Sequence, residues 1–233
     1  MRREGNLEVL YEDNHIIAIN KSNNELVQGD STGDEPLSER VKRYIKKKYN
    51  KPGDVYLGLP HRLDRPVSGV ILFAKTSKAL VRLNDMFQAR DQIKKTYWAI
   101  VKHRPEMEQG TLTGYISKNH EKNKSNLYAK ERKGAKFASL DYSLINLSQK
   151  YYLLEVNLHT GRHHQIRCQL AKMGSPIKGD LKYGYPRSNP DGGISLHARE
   201  ISFIHPVKKE PITITAIPPQ NDNLWKEFTK LMK

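Results

Sequence analysis

Segments that read as strands outnumber those that read as helices, and they often follow one another with no helix between them. That ordering limits the fold more than any other feature of the chain. Period-two or β-branched runs fall near residues 7–11, 15–20, 96–101 (TYWAIV), 194–204 and 211–217. Two alternating runs within 137–158 predict a hairpin, with Tyr152, Leu154, Val156 and Leu158 on one side. VILFAK (70–75) is a short apolar run suited to a buried strand. Helical spacing is confined to four places. Leu37, Val41, Tyr44 and Ile45 share a face over 36–49; Leu80, Leu83 and Phe87 follow a cap at Thr76 or Ser77; Ile166, Leu170 and Met173 precede a stop at Gly174; Leu224, Phe228 and Leu231 follow a cap at Asp222 or Asn223. Many consecutive strands with few helices predict an α+β protein with a largely antiparallel sheet. With no repeat and no linker-like stretch, residues 1–233 read as a single domain.

Hydrophobic residues make up 37% of the chain, enough for a buried core. The single cysteine, Cys168, excludes an internal disulfide and any zinc site built on paired cysteines. The start, MRREGNLEVLYED, has no apolar secretory region, and no segment reaches membrane-spanning length, so a soluble, cytoplasmic protein is expected. Forty Lys and Arg against twenty-five Asp and Glu leave a net charge of +15, which favours a polyanionic partner, nucleic acid above all. Two stretches concentrate that charge: KRYIKKKYNK (42–51), which includes Lys46 and Lys47, and KNHEKNKSNLYAKERKGAK (118–136). Each reads equally well as an RNA-contacting segment and as a solvated face or mobile loop. No G-x-G-x-x-G or G-K-[ST] loop follows a strand, so no nucleotide cofactor is expected.

The chemistry concentrates in LPHRLDRPVSGVILFAK (59–75). Pro66 disfavours helix at Arg65 and Gly69 permits an unusual backbone angle, which places Asp64 on an irregular loop leading into a buried strand. His61, Arg62 and Arg65 are close in sequence, and guanidinium groups within a few ångströms would favour the charged carboxylate. A structural Asp–Arg pair in a turn is the plainer reading of these residues taken by themselves. The second informative segment is LHTGRHHQIRCQLAKMGSPIKGDLKYG (158–184). Here a strand ends at Leu158, Thr160 and Gly161 turn, and a helix opens near Arg162 to His164. That helix start would attract phosphate, with Arg162, His163 and His164 adding donors. Arg167 lies about one turn further on. His159, His163 and His164 lack the carboxylate or cysteine that would complete a recognised metal spacing.

HRLDRPVSGVILFAK resembles the catalytic motif of the RluA family of pseudouridine synthases, and TGRHHQIRCQLAKMGSPIKGDLKYG resembles its arginine-containing motif. YEDNHIIAINK (11–21) is similar to that family's opening strand motif, and LHAREISFIHPVKKEPITITA (196–216) to its closing one. The four occur in the family's order and span nearly the whole chain. Departures are modest: Val67 stands where Thr is usual, Gln169 where His is common, and SNNELVQGD after Lys21 is more polar than the family's version. The resemblance implies the pseudouridine synthase fold, a mixed, mostly antiparallel sheet bent across two sub-lobes with the active cleft across it. It implies catalytic roles for Asp64 as the essential carboxylate, Tyr97 of KKTYWAIV as the ring stacked on uracil, and Arg167 as the partner of the aspartate. It also implies that Leu158 lines the base pocket, that Arg62 fills the space left by a flipped base, and that Arg65, Arg162, His164, Lys46 and Lys47 contact substrate. The expected substrate is a uridine in ribosomal or transfer RNA, handled by a monomer with neither metal nor cofactor. The chain is further expected to begin directly at the catalytic domain, without the small N-terminal RNA-binding domain of many relatives. A non-catalytic RNA-binding protein is the first rival, and a nucleoside- or glycoside-hydrolysing enzyme, which would need a second carboxylate or a metal, is the second.

Overall fold

The computed structural model describes residues 7–30, 32–89 and 92–231. The strands are β1 Val9–Glu12, β2 Ile16–Lys21, β3 Ser68–Ala74, β4 Ile93–Val101, β5 Gln109–Asn119, β6 Lys124–Tyr128, β7 Lys136–Leu147, β8 Tyr152–Leu158, β9 Leu196–Ile204 and β10 Pro211–Thr215. Four helices accompany them: α1 Leu37–Lys48, α2 Ser77–Gln88, α3 Gln165–Lys172 and α4 Asn223–Leu231. The strands form one mixed sheet in the order β1-β2-β3-β9-β4-β8-β7-β5-β6, with β10 added beside β9. The pairings are antiparallel except β3 with β9. This is the α+β class expected from the strand-rich sequence.

Both faces of the sheet centre are buried, and the period of two distributes the side chains between them. Ile17 and Ile19 of β2 and Ile71 and Phe73 of β3 face the core covered by Val41 and Ile45 of α1 and Ile166 and Leu170 of α3. Their neighbours Ile16, Ala18, Val70 and Leu72 face the opposite way, onto Ala79 and Leu83 of α2. In β4 the same alternation sends Ala99 and Val101 into the first core, while Trp98 and Ile100 meet Trp225 and Phe228 of α4. The strand at 68–74 is buried throughout and, after Ser68, apolar, because it has no solvent face.

The sheet forks at β9. Its first residues, His197 and Ala198, pair with Ser68 and Gly69 of β3, whereas Glu200 to Ile204 pair with β10. Gly69 has a φ of +112°, and a Cβ there would lie 2.3 Å from the Ala198 carbonyl oxygen. Only glycine allows the loop carrying Asp64 to enter the sheet at this crossing. His197, fully buried, locks the same junction: its Nδ1 lies 2.9 Å from Ser68 Oγ, and its Nε2 lies 3.1 Å from the Ala216 carbonyl, to which it donates.

Three sequence expectations change. β5 and β6 were not anticipated, and the basic stretch 118–136 is largely structured, its first part forming the β5–β6 pair and Lys136 opening β7. Leu231 is 59% exposed; α4 buries Trp225 and Phe228 instead, and Asp222 Oδ1 caps it by accepting from the Leu224 N–H at 2.8 Å. The remaining helices fall where expected, with Thr76 Oγ1 accepting from the Ala79 N–H at 3.2 Å to start α2. Among the described residues no helix is long and apolar enough to cross a membrane.

Burial pushes the His197 pKa down to about 4. The unfolded chain therefore binds this proton first, so His197 contributes stability above about pH 6.5 that is lost as pH falls towards 4, up to ~3 kcal/mol. Denaturation titrations from pH 7 to 4 should show His197→Asn less stable at pH 7 but with a shallower acid slope than the parent. An equal slope would contradict this assignment.

Candidate active site

Asp64 sits in the loop between α1 and β3, and α3 brings its partners. Arg167 Nη1 donates to Asp64 Oδ2 at 3.1 Å. The other side of the same guanidinium grips Asp180 in a two-pronged pair, Nε to Oδ2 at 2.7 Å and Nη2 to Oδ1 at 2.8 Å. Arg167 is 4% exposed and Asp180 1%, so this fork is set in the protein interior and cannot swing. Burial opposes the charge on Arg167, yet the hydrogen bonds and charges of Asp180 and Asp64 together hold its pKa above the ordinary arginine value. The Arg167 guanidinium also lies 5.1 Å from the Tyr183 ring centre.

His164 supplies a second neighbour: its Nε2 is 3.4 Å from the same Asp64 oxygen, Oδ2. Burial foremost, then the charge of Arg167, pushes its pKa down to about 2, so the ring is neutral. The residue holds a left-handed backbone (φ 51°, ψ 29°) immediately before α3. Its ring stacks on that of His163, with centres 3.8 Å apart. Asp64 Oδ1, by contrast, makes no hydrogen bond among the described residues.

These groups line a cavity of about 610 Å3. Tyr97 and Lys95, two residues apart on β4, both reach it, as do Leu158 at the end of β8, Arg62, and Thr160 to Arg167. A β-bulge between Thr96 and Tyr97 shifts the register against β9 at this point. Burial and then the negative charge of Asp64 raise the Tyr97 pKa above the ordinary phenol value. Lys95 Nζ lies 5.8 Å from the Phe87 ring centre and faces Gly161, where a Cβ would sit 3.6 Å from it. Burial lowers its pKa, and it has no carboxylate partner among the described residues. His61 stacks on Phe87 at 4.6 Å and accepts the Leu72 N–H at 3.0 Å through Nε2, and burial lowers its pKa to about 3.

The sequence expectations divide. Asp64, Tyr97, Arg167, Leu158, Arg62, Arg162 and His164 all line one cavity. Arg65 does not: its guanidinium turns to Asp34 at 2.6 Å, because the turn through Pro66 points it away from the cavity. The flanking arginines are thus not the partners of Asp64; Arg167, distant in sequence, is. Arg162 donates through Nε to the Phe137 carbonyl at 2.9 Å, and its backbone N–H is taken by Gln165 Oε1 at 3.0 Å, so a side chain of α3 itself occupies part of the expected anion site. His164 is 8% exposed, too enclosed for a general RNA contact. Lys46 and Lys47 are exposed on α1 and do not line the cavity. His159 pairs with Asp141 at 2.7 Å, apart from the His163–His164 stack, and the described residues contain no cluster arranged for a metal.

Four residues escaped the sequence reading. Asp180 and Tyr183 lie in the GDLKYG end of the second motif, Lys95 lies in KKTYWAIV, and Lys21 ends the first strand motif. Fully buried Lys21 donates to the Arg65 carbonyl at 3.0 Å and the Ser22 carbonyl at 2.9 Å, tying the Asp64 loop to β2. Burial lowers its pKa to about 7. The available signal was their place inside quoted motifs, not their residue type.

Residues 15–172 match the family described as RNA pseudouridylate synthase. An uncharacterized RNA pseudouridine synthase of Mycoplasma capricolum is 32% identical over 207 residues, covering 85% of this chain and 65% of that protein. The tRNA pseudouridine synthase C of Vibrio cholerae is 32% identical, covering 90% of both chains. The ribosomal large subunit pseudouridine synthase D of Xanthomonas campestris is 32% identical, covering 92% of this chain and 67% of that one. This chain therefore spans slightly less than two-thirds of the length of the Mycoplasma relative. Among solved structures, human RNA pseudouridylate synthase domain containing 4 superposes with a TM-score of 0.78 at 21% identity, covering 96% of this chain and 93% of that one, a likeness of fold. With the matched segment running from the first strand motif through α3, the chain belongs to the RNA pseudouridylate synthase family.

Proposed function

We propose that this protein isomerises uridine to pseudouridine within structured RNA, ribosomal or transfer, as an RNA pseudouridine synthase. The observation that carries the reading is the asymmetry of Asp64: Oδ2 faces Arg167 and His164, whereas Oδ1 has no hydrogen bond among the described residues, in a cavity large enough for a nucleotide. The reaction breaks the N1–C1′ bond, turns the base over, joins C5 to C1′, moves the C5 proton away and leaves N1 protonated. Oδ1 acts on the ribose, either by bonding to C1′ or by taking a sugar proton. Both routes use the anionic carboxylate that Arg167 stabilises.

Tyr97, its phenol held protonated by burial and by Asp64, serves foremost as the ring on which uracil stacks. Leu158 closes the apolar side. Reaching the cavity requires the nucleotide to leave its stack, at a cost of a few kcal/mol, and exposed Arg62 is placed to fill the vacated space. Lys95, an ammonium without a carboxylate partner, holds the phosphate of the flipped nucleotide. The exposed lysines of α1 and of the β5–β6 hairpin hold flanking phosphates, consistent with a net charge of +15. The form proposed is a monomer acting in the cytoplasm. No metal or cofactor takes part in an isomerisation without net redox change or group transfer.

Asp64→Asn should remain folded and bind RNA but release no tritium from transfer and ribosomal RNA transcripts tritiated at uridine C5; substantial release would sink the proposed role of Asp64. Lys95→Met should weaken RNA binding and lower the slope of log affinity against log salt by about one. An unchanged slope in a binding titration would remove Lys95 from the phosphate contacts.

A further inference from the structure

We propose that Tyr183 and His164 form a positioning relay, in which the Tyr183 hydroxyl fixes the neutral His164 ring in the tautomer whose Nε2–H points at Asp64 Oδ2. The catalytic consequence rests on the pseudouridine synthase reading; the tautomer itself does not.

The relay follows from counting donors. Tyr183 Oη, in the turn after Asp180, accepts the Ser125 N–H at 2.7 Å. Its own single proton has two possible acceptors, His164 Nδ1 at 3.0 Å and the Ser125 carbonyl at 3.4 Å. That carbonyl already faces the Cys168 thiol, which donates to it at 3.4 Å. The nearer acceptor is Nδ1, so the phenol donates there and the ring proton belongs on Nε2. A second argument is independent of the first. The opposite tautomer would leave the Nε2 lone pair 3.4 Å from a carboxylate oxygen, an unfavourable juxtaposition of like partial charges, whereas a proton on Nε2 makes it favourable. Both ends of the imidazole thus select the same form.

The surroundings keep this ring neutral. Burial acts foremost, joined by Arg167 of α3, His163 in the turn before it, Lys182 beside Tyr183, and Lys118 of β5. A neutral donor can hold Oδ2 without bringing a second full charge to the carboxylate. The hydroxyl of Tyr183 serves His164 while its ring faces the Arg167 guanidinium. One residue therefore touches both groups that hold Oδ2, and through them decides which oxygen of Asp64 meets the ribose. The left-handed backbone of His164 presents the ring between Tyr183 and Asp64.

The test uses the full chain labelled with 15N histidine, with His164 assigned by comparison with His164→Gln. Long-range proton–nitrogen correlation should show Nε2 protonated and Nδ1 as the bare nitrogen; protonated Nδ1 overturns the relay. Tyr183→Phe keeps the ring against Arg167 and deletes only the hydroxyl. It should move the Nδ1 resonance and lower kcat on tritiated RNA transcripts on the order of tenfold, with KM unchanged, the effect of losing one hydrogen bond to a charged network. An unmoved Nδ1 resonance, an unchanged kcat, or a loss seen equally in KM overturns it. Should Tyr183→Phe fail to fold, His164→Gln, which keeps a donor near Nε2, should retain more turnover than His164→Ala; equal turnover overturns the relay. If no RNA is turned over even by the parent, the nitrogen resonances still decide the tautomer, and only the pseudouridine reading is lost.

Discussion

A single buried guanidinium organises this molecule. Arg167 is enclosed on α3 and reaches two carboxylates, one at each side of its planar fork. The bidentate grip on Asp180 fixes the plane, and the remaining Nη1 then has one direction left, towards Asp64. A charge this deep must be paired, since leaving it uncompensated costs roughly 3–5 kcal/mol. The arrangement therefore couples folding to geometry: the chain cannot bury α3 without delivering a cation to the Asp64 loop. A lysine could offer charge there but not the planar two-pronged grip on Asp180 that fixes the direction of the third contact, to Asp64.

The sheet supplies the other half. Because β9 forks, pairing with β3 at one end and β10 at the other, the loop that carries Asp64 enters the sheet where β9 changes partner. Gly69 and His197 secure that crossing, and Lys21 ties the loop's carbonyl at Arg65 to the end of β2. The cavity lies between this loop, β4 and the start of α3. Its cationic rim follows from composition, and Asp64 lines it with one oxygen, Oδ2, taken up by Arg167.

Much of this was legible in the residues. The apolar run at 70–75, the stripes of α1 and α2, and the alternation in 152–158 all depend on local periodicity, which sequence displays directly. The family resemblance also singled out Asp64, Tyr97 and Arg167, which line one cavity. What escaped depends on long-range pairing. Arg65 looked like a partner of Asp64 because it is adjacent, but adjacency in an irregular loop says nothing about direction, and Asp34 captures it. Asp180 reads as an ordinary turn residue until α3 brings Arg167 against it. β5 and β6 were hidden because QGTLTGYISKN and KSNLY hold few apolar residues, so their alternation is weak; in α4 Phe228 is buried as expected, but Trp225 was missed and Leu231 is exposed. His164 was read as a donor at the start of α3, and its depth escaped because the burial of a helix start is set by what packs over it.

The account turns on the direction of the Arg167 fork, and replacing it with lysine tests that direct claim. Pseudouridine would be quantified by mass spectrometry after digestion of unmodified transfer and large-subunit ribosomal RNA transcripts incubated with the parent or with Arg167→Lys, each shown to be folded and to bind RNA equally. The account predicts that the lysine variant, though still cationic, forms pseudouridine at least about a hundredfold more slowly. Formation at the parental rate would mean that Asp64 does not depend on the fork, and the account would be wrong.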